Sequence, residues 1–348
     1  MKTNINIIRR FSCNLVAALL LGSSLMSCDS ILDEKEVDCS VNYSVKFKYD
    51  YNMKHADAFA NEVKSVTLYA FDNEGKLVYQ KTEEGDVLKQ EGYAMDVDMN
   101  PGDYHLIAWA GLTNDDTFSV PLVSQGASIE DLKCRMDRVY TKSDSEGGIV
   151  NTKLTSLFHG QIEKQNFVTR AAINQEIVLP LVKNTNTVKI ILHQMDGVTI
   201  PAEDLEFTIT DNNGYMDYDN SLIEDEKLTY YSYHHESGNV VEASQTKSGE
   251  FTNISFATAE LTVGRLMEDQ NAILTIRNKV SGETILSIPV IKMFLLAKLQ
   301  GQYDMDNQEY LDRQDEYKMT FFLDENMKWI DSQIIINEWI VRFDDMNL

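Results

Sequence analysis

The sequence predicts a mainly β protein: two antiparallel β-sandwich domains with a few short helices. Three observations carry that expectation. Apolar residues recur with period two in segment after segment, and turn residues fall between them at intervals of roughly 8–12 residues. The chain left after an export leader is about 320 residues long, beyond the roughly 250–300 at which a single core stops growing.

The leader comes first. Lys2, Arg9 and Arg10 precede an apolar run from Phe11 to Met26, about 16 residues broken by Cys13, Asn14 and Gly22. That is short of the ~20 needed to span a bilayer, so residues 1–27 read as a signal peptide. Leu25-Met26-Ser27-Cys28 resembles the bacterial lipobox, which makes Cys28 the lipidated new N-terminus of a surface lipoprotein. An ordinary secretory cut near Ser27 would instead leave Cys28 as a thiol. Residues 28–40, "CDSILDEKEVDCS", form an acidic tether that resembles the surface-export tails of Bacteroidetes-type lipoproteins.

Removal of the leader leaves 28 basic residues against 55 acidic ones, a formal charge of −27. Such a surface repels phosphate backbones and anionic headgroups, which excludes nucleic acid as a partner class and electrostatic membrane docking as a mode of attachment. With Cys28 acylated, Cys39 and Cys134 remain in an oxidising compartment, where they form either a disulfide or two buried thiols.

The N-terminal sandwich is expected over residues 41–168 and the C-terminal one over 169–348. "VNYSVKFKY" places Val41, Tyr43, Val45, Phe47 and Tyr49 on one face and polar residues on the other, a strand with one wet face. "NMKHADAFANEV" makes a short helical excursion. "VKSVTLYAFDNEGKLVYQ" reads as strand, turn at Asp72–Gly75, strand, and "YAMDVDMNPGDYHLIAWAGL" repeats the scheme around Pro101-Gly102. Ser128-Ile129-Glu130-Asp131 is a capping box opening a brief helix that carries Cys134. Arg138–Ser156 is a long loop. The second series begins with "QEIVLPLVKNTNTVKIIL", continues through a hairpin at Thr208–Tyr218, and includes the apolar run Ile285–Leu299, read as buried strands interrupted by Pro289, Lys292 and Lys298.

Constellations for catalysis are missing: no G-x-S-x-G, GxxxxGK[ST], HExxH or GxGxxG occurs. Asp96, Asp98 and Asn100 have calcium-loop spacing, but Pro101 stands where glycine is required and Ile107 where the bidentate glutamate belongs. His234-His235 reads as an exposed loop, and the carboxylates of Asp304–Tyr317 as solvated turns. Trp109, Trp329 and Trp339 sit in strand-like settings suited to core packing. No catalytic residue, metal site or cofactor is expected, and the chain reads as a non-enzyme.

The pieces named so far, with "LFHG" at Leu157–Gly160, "TAELTVGRLM", "EYLDRQDEYKMTFFLD" and "IIINEWIVRF", together resemble the fimbrillin-associated minor subunits that anchor type V (Bacteroidetes-type) fimbriae. The resemblance implies two transthyretin-like sandwiches, outer-membrane lipidation, and assembly with fimbrillin shaft or accessory subunits through donor-strand addition. In related shaft subunits an arginine-specific protease removes the first strand and opens the groove. Here no arginine occurs from Asp29 to Cys134, and the first is Arg135. An Arg-directed cut could therefore not release the first strand alone, which fits an anchor that ends the fibre. The closing segment Gln333–Phe343 is a candidate donor strand, with Trp339, Val341 and Phe343 alternating and a bend near Asn337-Glu338, or else a plain core strand. A surface glycan-binding lipoprotein is the alternative function.

Overall fold

The computed structural model describes residues 42–113, 117–140, 147–168, 174–194, 198–243, 251–330 and 334–342. The leader, Cys28, Cys39, the tether and Phe343 lie outside the described residues. The first expected strand is β1 (Tyr43–Lys48), with Tyr43, Val45 and Phe47 buried and the residues between them half-buried. The helical excursion is α1 (Phe59–Glu62), a single turn.

β2 (Ser65–Phe71) and β3 (Leu77–Glu84) form the expected hairpin. Its turn is held by the Asp72 carboxylate, which accepts from the main-chain N–H of Glu74 and of Lys76 at 2.9 Å each. β4 (Met95–Val97) and β5 (Gly102–Ala110) flank the Pro101 turn as expected, but they do not pair with each other. The turn instead carries the chain from one sheet to the other.

β6 (Phe118–Ser119) and β7 (Cys134–Met136) are short. The Ser128 capping box is present, with Ser128 N–H donating to the Asp131 carboxylate at 3.0 Å, yet it opens only a 3-10 turn, Ile129–Asp131. Cys134 consequently lies on a strand and not on a helix. The polar stretch read as a loop contains β8 (Gly148–Val150) and is followed by β9 (Phe158–Phe167).

"QEIVLPLVKNTNTVKIIL" serves three sheets in turn: β10 (Gln175–Pro180), β11 (Val182–Lys183) and β12 (Thr185–Gln194). Next come β13 (Leu205–Asp211) and β14 (Tyr215–Met216), whose connecting turn was expected to make a hairpin. β13 pairs instead with later strands and β14 with β7. β15 (Leu228–Tyr231), β16 (His234–Ala243) and β17 (Phe251–Gly264) follow. The histidine pair therefore opens a strand.

β18 (Ile273–Asn278) and β19 (Thr284–Pro289) make a hairpin. The run expected to continue as buried strands becomes a helix, α2 (Val290–Gln300). Pro289 ends the ladder and caps the helix start, where its missing N–H costs nothing. The Met, Leu, Ala and Lys residues beyond it have high helix propensity. Then come α3 (Asn307–Arg313), β20 (Glu316–Leu323), β21 (Ile334–Ile336) and β22 (Trp339–Val341).

The chain is mainly β, as expected. A three-stranded sheet, β10-β1-β4, packs on the five-stranded sheet β11-β9-β5-β2-β3; the order β16-β17-β12-β20-β21-β22 faces β19-β18-β13-β15-β8 in a second sandwich; β14-β7-β6 is a small third layer. Pairing is antiparallel except for β1 with β10, β12 with β20, and β15 with β8. β10 and β11 thus complete the first pair of sheets from beyond residue 169, while β8 reaches the second from before it. β2 is buried along its whole length. Val66, Leu68 and Ala70 are buried on the other face, whereas Tyr69 and Phe71 belong to one continuous cluster that also holds Leu205 and Phe207 of the second sandwich. A sheet covered on both faces needs apolar residues at every position, which hides its period.

Candidate assembly site

The first strand lies inside its sheet. β1 runs parallel to β10, Tyr43–Lys48 against Gln175–Pro180, and antiparallel to β4. Its alternate side chains fill the core between the two sheets. Tyr43 meets Phe167 edge-on at 4.7 Å and donates its hydroxyl to the Val168 carbonyl at 2.9 Å. Phe47 stacks on Phe59 of α1 with centroids 5.9 Å apart. Tyr49 meets Phe158 edge-on at 5.0 Å and donates to the Asp315 carboxylate at 2.7 Å.

The "LFHG" segment explains itself position by position. The Leu157 carbonyl accepts from Asn184 N–H at 2.7 Å, and Phe158 takes the Tyr49 ring. His159 meets Trp109 edge-on at 4.6 Å on the opposite face and hydrogen-bonds the Tyr218 carbonyl at 2.8 Å through Nε2. At Gly160 a Cβ would lie 2.2 Å from the Pro180 carbonyl oxygen, so β9 and β10 can approach only across glycine.

Around this segment the two sandwiches are joined by polar bonds. Asn184 donates to Asn220 Oδ1 at 2.6 Å and accepts in return at 3.1 Å, both residues being buried. Arg265 grips Asp312 bidentately at 2.8 and 2.7 Å and donates to the Asn220 carbonyl at 2.7 Å. Arg313 lies 4.0 Å over the Tyr51 ring. Burial pushes the Asp315 carboxyl above its usual range, opposed by Lys183 at 3.8 Å, and Lys183 also pairs with Glu62 at 2.7 Å. In the carboxylate run read as solvated turns, Asp304, Asp306 and Glu316 are exposed as expected, whereas Glu309, Asp312 and Asp315 are buried or half-buried ion-pair and hydrogen-bond partners. Sequence reasoning missed Arg265 and the two asparagines, because their partners are far away along the chain.

Burial lowers the His159 pKa to about 4 from 6.5. The neutral ring is the native form, so its contribution is complete above pH 6.5 and is lost as pH falls toward 4. A shift of this size is worth about 3 kcal/mol. Asp211, raised by burial from 3.8 to about 6, acts in the opposite sense and loses stability as pH rises between those values. The two therefore offset one another in the native protein. The stability difference between wild type and His159→Asn should grow as pH rises from 4.5 to 7 in urea titrations. A constant difference would refute the neutral buried imidazole.

The closing segment is a hairpin. β21 and β22 pair through Ile334↔Val341 and Ile336↔Trp339, with Asn337 in the left-handed region at φ 56°. Asn and Gly are the residues that best tolerate that conformation. Val341 is buried, whereas Trp339 is 36% and Ile340 48% exposed. Trp339 is thus not the fully packed core tryptophan the sequence suggested, while Trp109 is. β22 is the last strand of its sheet, with α2 packed against it and no strand on its other side among the described residues.

Residues 35–345 match the family model of the fimbrillin-A associated anchor proteins Mfa1 and Mfa2. The chain belongs to this family. A candidate polysaccharide-binding protein from Bacteroides thetaiotaomicron is 31% identical, with 89% of this chain and 100% of that one covered at a TM-score of 0.74. A candidate adhesin of the same organism is 33% identical over 87% and 98% of the two chains, also at 0.74. The fimbrial anchor protein Mfa2 from Porphyromonas gingivalis shares the fold at 17% identity and a TM-score of 0.63, over 87% of this chain and 99% of that one. No curated protein sequence matches the chain. This Mfa1/Mfa2-family chain is therefore fimbria-associated. Of the segments that carry its family resemblance, "LFHG" and the "LVKN" start of β11 and β12 lie where the two sandwiches join, whereas "IIINEWIVRF" forms the edge hairpin β21-β22.

Proposed function

We propose that this protein is a lipid-anchored, non-enzymatic fimbrial subunit that attaches fibres to the outer membrane through Cys28 and ends their assembly. One observation carries the reading: β1 occupies its place between β10 and β4, with Tyr43, Val45 and Phe47 buried, so the chain fills its own groove. The lack of arginine between Asp29 and Cys134 supports it, since an Arg-directed protease could not remove β1 alone. Mass spectrometry of the protein taken from purified fimbriae tests it. The expected chain begins at an acylated Cys28 and retains residues 41–49. A chain that begins beyond Lys48 would mean that the strand is released and the groove opened, as in a shaft subunit.

The same proposal places the next subunit at β22. Edge strands accept added strands through unpaired main-chain groups, and Trp339 and Ile340 offer apolar surface beside that edge. Ile340→Lys alters an exposed position, so melting should be unchanged while co-purification with fimbriae falls at least tenfold. Undiminished co-purification removes β22 from the interface. We also propose a disulfide from Cys39 to Cys134, the latter buried in β7. Non-reducing peptide mapping should find the bridged pair, and two alkylatable thiols would sink it.

A further inference from the structure

On the outer face of the second sandwich, β12 and β20 form the floor of a cleft of about 480 Å³, within the range of small-ligand pockets. Lys153 and Tyr233 stand on one side, Asn337 of the closing turn on the other, and Gln314 and Glu316 at one end. Leu154 N–H donates to Thr262 Oγ1 of β17 at 2.7 Å, which fixes the wall carrying Lys153. Asn337 is fixed by two bonds to the Lys318 main chain, at 2.7 and 2.9 Å.

The charge of this cleft runs against that of the molecule. The chain carries a formal −24, yet the five charged side chains here are Lys153, Lys189, Lys318, Glu260 and Glu316. Lys189 and Lys318 are register partners on adjacent strands, so two like charges are held side by side. Glu260 answers only one of them. Its carboxylate takes Lys189 at 3.1 Å with one oxygen and the Tyr233 hydroxyl at 3.0 Å with the other. Lys318 makes no ion pair among the described residues.

We propose that this cleft binds a carboxylate-bearing saccharide, with Lys318 and Lys189 facing the carboxylate and Thr187, Tyr233, Gln314 and Asn337 facing the hydroxyls. The residue chemistry selects that class. Paired ammonium groups call for an anion, and amides and hydroxyls that both donate and accept suit a polyhydroxylated ligand. A peptide strand is disfavoured because β12 and β20 already have ladder partners on both sides. A nucleic acid is disfavoured by the net negative charge of the chain as a whole.

Calorimetric titration with trigalacturonate and with sialyllactose tests the proposal, each beside its methyl ester, which keeps the sugar and removes the charge. At least one acid should bind, its ester should not, and Lys318→Gln should weaken binding about tenfold, as expected for loss of a charge-assisted hydrogen bond. Lys318 is exposed, and an unchanged melting curve will show that the variant is folded. Failure of both acids to bind, equal binding of the esters, or indifference to Lys318→Gln overturns the proposal. Equal binding of a poly-glutamate peptide also overturns it, since the cleft would then be a general anion patch.

Discussion

Cys28→Ala is expected to move this protein, and the fibres attached to it, from the outer-membrane fraction into the medium. Among the described residues no helix is long and apolar enough to cross a membrane. The acid excess opposes attachment to anionic headgroups, so the proposed lipid on Cys28 would hold the chain without electrostatic help. Each buried CH₂ contributes about 0.8 kcal/mol, and one acyl chain gives only reversible binding. Stable attachment needs several chains on the same residue, which a lipobox cysteine supplies. The effect of losing them is therefore close to all or none. Retention of the variant in the membrane fraction at wild-type level would sink the lipid-anchor proposal.

Asp312→Ala is expected to be the most destabilising substitution at the junction. Asp312 accepts both bonds of the Arg265 fork, and the Arg265 side chain is only 13% exposed. Removing one partner of a buried pair leaves an uncompensated charge, at roughly 3–5 kcal/mol, while replacing both can be nearly neutral. For a chain of this size that corresponds to a Tm lowered by about 5–10 °C. The double variant Arg265→Leu with Asp312→Leu should recover much of the loss. Equal melting of wild type and Asp312→Ala would mean that the pair contributes nothing to the native state.

Much of the strand content was legible because a half-buried strand writes its two faces into the sequence. β1, the hairpin at Asp72–Gly75 and the turn at Pro101 lie where alternation and turn chemistry put them. Pairing was not legible: period two says which face is buried but not which strand is the neighbour. The strands around Asn212-Asn213-Gly214 looked like a hairpin and instead join different sheets. The run after Pro289 had no alternation, and its residues favour a helix once the strand has been ended. The clearest gap is Asp304–Tyr317. A run of carboxylates is usually solvated, but Asp312 finds its arginine 47 residues away and Asp315 its tyrosine 266 residues away. Separations of that kind leave no local trace.

The placement of β1 has a mechanical consequence. In a chain tethered at Cys28, with Cys39 reduced, tension between cell and fibre enters the fold at Tyr43. That residue begins a strand bonded to β10 on one side and β4 on the other, with its hydroxyl tied to Val168. Rupture must open two ladders together and draw Tyr43, Val45 and Phe47 out of a packed interior into water. A strand at a sheet's rim has only one ladder to open. On the proposed anchoring through Cys28, an interior strand carries the load, and pulling single reduced molecules from the N-terminus should meet higher resistance than pulling from the exposed β22 end.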